Sequence, residues 1–157
     1  MGYNNAIDVA RYVVLKYWNS GLLTTNLKLQ KILYYIQGYS FKFCNEAAFP
    51  EAIYKWPYGP VVPEVYFEYS HLGAKVIPGL SDDLSNSVMD CIKCNKELKS
   101  VLDKVINGSY ELNATTMVGM THKEDPWKNA QDSGIISTTS IRLYFDENDP
   151  LHIGGVA

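Results

Sequence analysis

Apolar residues recur every three to four positions through most of this chain, and prolines, glycines and asparagines punctuate the recurrence. Ile7, Ala10, Val14 and Tyr17 fall at helical spacing, with Val9, Val13 and Trp18 widening the same face. That predicts a helix over 5–19, capped by Asn4 or Asn5 and stopped at Gly21. Thr24-Thr25-Asn26 offers caps for a second helix whose stripe is Leu29, Ile32, Leu33, Ile36 and Phe43. Lys28, Gln30, Lys31, Gln37 and Lys42 flank that stripe, so the expectation is an amphipathic helix with a solvated side.

After Cys44-Asn45-Glu46 the periodicity changes. Trp56-Pro57-Tyr58-Gly59-Pro60-Val61-Val62-Pro63 packs three prolines, a glycine and two large aromatics into one short stretch. Proline fixes its own φ and excludes the α region for the residue before it, so this backbone extends or turns. Gly59 supplies turn freedom and Pro60 cannot donate to a ladder. A short strand is expected over 52–56. A third helix should begin at Pro63, with Glu64 at its positive end, and finish at Gly73. A connector follows over 74–80. Ser81-Asp82-Asp83 then opens one long helical segment to about Ile106, with Asn107-Gly108 as its stop. A further helix is expected over 110–120 and a turn at Pro126-Trp127. Residues 137–145 fit either a short helix or a strand. The sum is a mainly α fold, a single helical domain over 1–157 with a small β element near 52–62. Its core spans about 5–145, and the tail, 146–157, is expected to fray.

Composition narrows the function classes. The 157 residues carry a formal net charge of -3, which opposes general attraction to nucleic acid or anionic lipid. No apolar run approaches the ~20 residues that span a bilayer, and no signal-like run opens the chain. Three cysteines, an odd count, argue for a reducing compartment, so a cytoplasmic location is expected. Twelve tyrosines are the unusual number. Such rings either anchor a partner surface at low entropic cost or fill a core whose hydroxyls reach its edge.

The reactive residues form no catalytic set. Cys91-Ile92-Lys93-Cys94 lies within a predicted helix, and nothing completes four zinc ligands, so buried helical cysteines are expected and no metal. His122 sits among Glu124 and Asp125, a setting that general acid–base chemistry could use. No GxSxG, HExxH or phosphate-cradling glycine loop accompanies it, so His122 is expected to cap a helix end and hydrogen-bond internally. Lys93, Lys96, Lys99 and Lys104 read as a solvated face rather than a phosphate footprint. No catalytic residue and no cofactor is assigned.

Three collinear segments resemble the Panacea antitoxin-domain family, which takes in SocA-like and phage-associated GepA-like proteins. Leu27 through Gly38 is similar to the family's LKLQKLLYYAQG helix, and Glu51 through Tyr66 is close to its EAWKYGPVVPEVY element. Met120-Thr121-His122-Lys123-Glu124-Asp125-Pro126-Trp127 is similar to its LTHKEGPW element. The chain departs at Ile53, where relatives commonly place Trp, and at Pro57, where many have a polar residue.

The resemblance implies an antitoxin-type protein-binding module, phage- or mobile-element-associated, that neutralises a cognate toxin by direct contact and does no chemistry. It names neither the toxin nor an oligomeric state. Lys31, Tyr34, Tyr35, Trp56, Tyr58, Gly59, Pro60, Tyr66, His122 and Trp127 are the expected partner-binding residues. For Trp56 and Trp127, a core or turn role stands slightly ahead of direct contact. Two other functions stand beside this one: an adaptor that delivers the toxin to a protease, and a phage-encoded DNA-binding regulator, whose duplex affinity would fall with salt.

Overall fold

The structure, a computed structural model, describes residues 4–154. α1 (Ala6–Asn19) begins at Asn5, whose side chain accepts from the Asp8 amide, and the chain reverses at Gly21 with φ of 70°. α2 (Asn26–Cys44) is capped by Thr25 and closes on Asn45 in the left-handed region. A hairpin follows, β1 (Ile53–Trp56) and β2 (Gly59–Val61), then α3 (Pro63–Tyr69) and a 3-10 turn, Ser70–Leu72. α4 (Asp82–Lys93), α5 (Lys96–Ser109), α6 (Ala114–His122) and α7 (Asp125–Asn129) lead to β3 (Ile135–Ile136) and α8 (Thr138–Glu147). The sheet is antiparallel, ordered β2-β1-β3, with Trp56 opposite Gly59, Lys55 opposite Pro60 and Ile53 opposite Ile136. Pro60 lies on an outer strand, where its missing N–H breaks no ladder. The mainly α fold with a small β element is as the pattern predicts.

The second helix departs from its pattern. Every residue from Lys28 to Phe41 is buried, polar ones included. The reason is topological: α1, α3, α5, α6, α8 and β2 all pack on α2, so no side is left for water. Its polar flank is satisfied from within. Asn26 Nδ2 donates to the Tyr66 carbonyl at 3.0 Å and Gln30 Nε2 to Asn26 Oδ1 at 2.9 Å. Gln30 Oε1 accepts the Val62 amide at 2.9 Å. Gln37 accepts from the Ala48 amide and donates to the Phe49 carbonyl. Buried polar atoms are tolerated when each finds a partner, and these amides stitch α2 to the loops around it.

Other departures have equally local causes. The single long helix expected from 81 is two, because Asn95 caps α5 by accepting the Leu98 amide at 3.1 Å. The next helix starts late, at the cap Asn113, and runs on to His122. Residues 137–145 resolve as helix, capped by Ser137. The expected frayed tail is tied down as far as 154. Tyr39 donates to Asp149 Oδ1 at 2.5 Å, the Ile153 and Gly154 amides donate to the same carboxylate, and Leu151 is buried. The remainder of that tail, 155–157, lies outside the described residues. Cys91 is only half-buried and donates to Asn4 Oδ1, while Cys94 is exposed at the end of α4, so these are not the buried pair expected.

Five tyrosines, Tyr12, Tyr17, Tyr34, Tyr35 and Tyr39, are core residues. Their hydroxyls bond to protein groups, namely Asp103, Ser109, Glu124 and Asp149. Much of the tyrosine surplus is therefore internal.

Gly38 marks the closest approach of α2 and α8, since a Cβ there would land on the Phe145 ring. Phe145 has no free direction to move, being packed edge-to-face on Tyr34, Tyr35 and Tyr39. Gly38→Ala should lower stability by about 1–3 kcal/mol through overpacking, despite alanine's better helix propensity. Urea denaturation measures it, and an unchanged or raised midpoint contradicts the contact.

Candidate partner-binding site

The hairpin turn Trp56-Pro57-Tyr58-Gly59 is set from beneath by α2. Gly59 has φ of 113°, a conformation that disfavours a side chain. A Cβ there would also lie 2.6 Å from Lys31 Cε and 3.0 Å from Thr121 Oγ1. Glycine lets the turn sit directly on these side chains. Lys31 is fully buried, and its Nζ donates to the Pro60 carbonyl at 3.1 Å. Among the described residues no carboxylate pairs with it. Burial pulls its ammonium down to about 7.

One turn further along α2, Tyr34 and Tyr35 donate to the two oxygens of Glu124, at 2.9 and 2.7 Å. Glu124 is the residue before α7, nearly sealed, with its amide on the Thr121 carbonyl. Burial pushes its carboxyl up to about 7, against the opposing pull of the two phenol hydrogen bonds. Burial first, and the carboxylate second, raise both phenols well above the ordinary tyrosine value.

A second tie joins the hairpin to α7. Trp127 Nε1 donates to the Trp56 carbonyl at 3.0 Å, and His122 stacks on the Trp127 ring at 4.0 Å between centroids. Lys55 lies 4.3 Å over that ring and donates to the Lys128 and Ala130 carbonyls. His122 is the last residue of α6, yet its Nε2 is buried and meets no partner among the described residues. The internal hydrogen bond expected of His122 is thus not made at Nε2, and the ring is stacked on Trp127.

The three motif segments therefore converge, but not all on the surface. Lys31, Tyr34, Tyr35, Gly59 and Pro60 are buried and shape the turn from below. Trp56, Tyr66, His122 and Trp127 are half-buried, and Tyr58 is 69% exposed. Sequence reasoning took Glu124 only as a carboxylate beside His122 and missed its burial against Tyr34 and Tyr35. It also missed Thr121, and Phe67, which is 65% exposed on α3. A paired Tyr34-Tyr35 facing inward was the available signal that an internal acceptor was needed.

The family model for "Antitoxin SocA-like, Panacea domain" matches residues 29–128, well over half of the chain. The chain belongs to this family. No curated protein and no solved structure gives a match. The Panacea match runs from α2 to α7 and so contains Lys31, the hairpin, Glu124 and Trp127. No helix among the described residues is long and apolar enough to cross a membrane. Nor do the described residues group three His, Cys, Asp or Glu side chains for a metal ion.

The two buried groups give the Panacea domain an unusual pH dependence. Glutamate ordinarily titrates at 4.5 and lysine at 10.5, whereas both groups titrate near 7 when folded. Stability contributed by Glu124 is full below 4.5 and is lost as pH rises to about 7. Stability contributed by Lys31 is full above 10.5 and is lost as pH falls to about 7. Each change is worth about 3–5 kcal/mol. Urea denaturation between pH 5 and 9 should show a trough near neutrality. Glu124→Gln should flatten the acid limb, and Lys31→Met the alkaline one. A dome with its maximum at pH 7 contradicts both assignments.

Proposed function

We propose that this Panacea-domain protein neutralises a cognate toxin by direct protein–protein contact centred on the hairpin turn. The observation that carries the reading is Tyr58, an aromatic side chain 69% exposed on a turn whose backbone is held at Pro60 by Lys31 and at Trp56 by Trp127. A ring presented on a fixed backbone loses little freedom on binding, which is the character of an interface anchor. Half-buried Trp56, Tyr66, His122 and Trp127 would form the surroundings of that anchor, and the buried motif residues would keep its shape. Family membership supports a toxin as the partner. The protein acts without catalysis: Lys31 and Glu124, the two groups that burial shifts toward neutrality, are sealed from any substrate. It works in the cytoplasm, on a phage- or mobile-element-borne module.

Co-expression with the product of the adjacent gene tests this. The chain should abolish that product's toxicity and co-purify with it. The toxin's level should be unchanged when cellular proteases are deleted, because blocking does not require its destruction. Tyr58→Ala should weaken the complex tenfold or more, equivalent to about 1.4 kcal/mol, with an unaltered melting temperature. A Tyr58→Ala protein that binds like the wild type removes the turn from the interface. Toxin that accumulates only without protease favours the adaptor mechanism instead.

A further inference from the structure

Phe67 lies outside the motif residues that shape the turn, yet it extends the same surface. Its ring packs edge-to-face on Tyr66 at 5.5 Å and on Trp56 at 6.2 Å, while Trp56 and Tyr66 meet at 5.0 Å. Most of Phe67 nonetheless remains in water. A polar residue would serve the fold equally well at so exposed a site, so the apolar ring there is unexplained by packing.

The charges on α3 itself are one-sided. Glu64 and Glu68 are exposed, one helical turn apart, and Phe67 follows Glu64 by three positions, so all three share the outer face of α3. Neither carboxylate forms an ion pair among the described residues. Three neighbouring cations are engaged elsewhere. Lys31 is buried against Pro60, Lys55 is held by the Lys128 and Ala130 carbonyls, and Lys28 lies over the Tyr17 ring. Arg11 of α1 acts on Tyr69, which also feels Glu68, but makes no ion pair with either glutamate.

We propose that this face of α3, continuous with the Trp56–Tyr58 turn, docks an arginine- or lysine-bearing segment of the toxin. The inference rests on the antitoxin reading and specifies its chemistry. Ring faces carry negative quadrupole charge and attract cations, and adjacent carboxylates strengthen that attraction. A guanidinium can lie on Phe67 while its N–H groups reach Glu64 or Glu68, satisfying both features at once. The same charge argues against a second copy of this chain as the occupant. Two such faces would oppose like carboxylates, on molecules that each carry a net charge of -3.

The test uses the full chain and the adjacent-gene product that it neutralises on co-expression. Binding is measured by calorimetry at 50 and 500 mM salt. Phe67→Glu and the double variant Glu64→Lys/Glu68→Lys should each weaken the complex at least tenfold. The milder Glu64→Gln/Glu68→Gln should weaken it at low salt and lose most of the salt dependence. Leu143→Glu, an equally exposed apolar position on α8, should bind normally. Melting temperatures identify any variant that fails to fold, and the glutamine pair then decides the matter. Full affinity in the α3 variants overturns this docking site and leaves the antitoxin reading intact. Self-association of the wild type that Phe67→Glu abolishes also overturns it, making the occupant a second copy. A wild-type chain that neither binds nor neutralises the product removes the antitoxin reading, and this inference with it.

Discussion

A buried ammonium reaching a single carbonyl is the constraint around which the motif region is built. Lys31 donates to Pro60 from inside the molecule, with no carboxylate to pair with. An unpaired buried charge is costly, so such a group is neutralised or held by whatever dipoles surround it. Proline contributes usefully here. Lacking an N–H, Pro60 gives β2 no donor at that position, while its carbonyl is free to turn inward. Gly59 beside it lets the backbone come down onto the lysine stem. Three residue types, lysine, glycine and proline, thus specify one turn for separate physical reasons.

Around this contact the core behaves as a polar scaffold inside an apolar one. α2 uses amides to fix the strands and loops, and phenols to fix α7 and the tail. Glu124 receives Tyr34 and Tyr35, and Asp149 receives Tyr39. Buried networks of this kind are strict about geometry, because each member left unpaired costs the full desolvation of its polar atoms. The consequence is a hairpin and an α3 tied to α2 at Pro60, Val62 and Tyr66. The proposed recognition of another protein would benefit from such tethering, since less freedom is lost when the partner arrives.

The helices α1, α2 and α3 were legible from periodicity, with caps at Asn5 and Thr25 and a proline start at Pro63. The side chains of α2 were not, because a flank of Lys, Gln and Asn reads as solvent-facing unless its partners are known. Those partners, Val62, Ala48, Phe49 and Pro60, are loop and strand backbone groups, which leave no periodic trace. Asn95 caps α5, but in the sequence the apolar stripe runs past it and masks the break. β3 has only two residues, too few for any alternation to register. Of the candidate site, the motif segments could be read directly, and their burial could not. Tyr34 and Tyr35 proved to face Glu124, while Phe67, bearing no motif, proved to be on the surface.

The proposed recognition, through a surface carried by a tightly tied core, makes a demand on the complex that burial alone does not. The buried polar groups should stay as they are, and only the covered turn and helix should change. Hydrogen–deuterium exchange of the chain, free and bound to the proposed toxin, tests this most directly. The account predicts new protection over residues 56–59 and 63–72, with the amides of 28–41 slow and unchanged in both states. Faster exchange in 28–41 on binding, or protection confined to 138–147, would mean that the toxin opens the core or sits on another face.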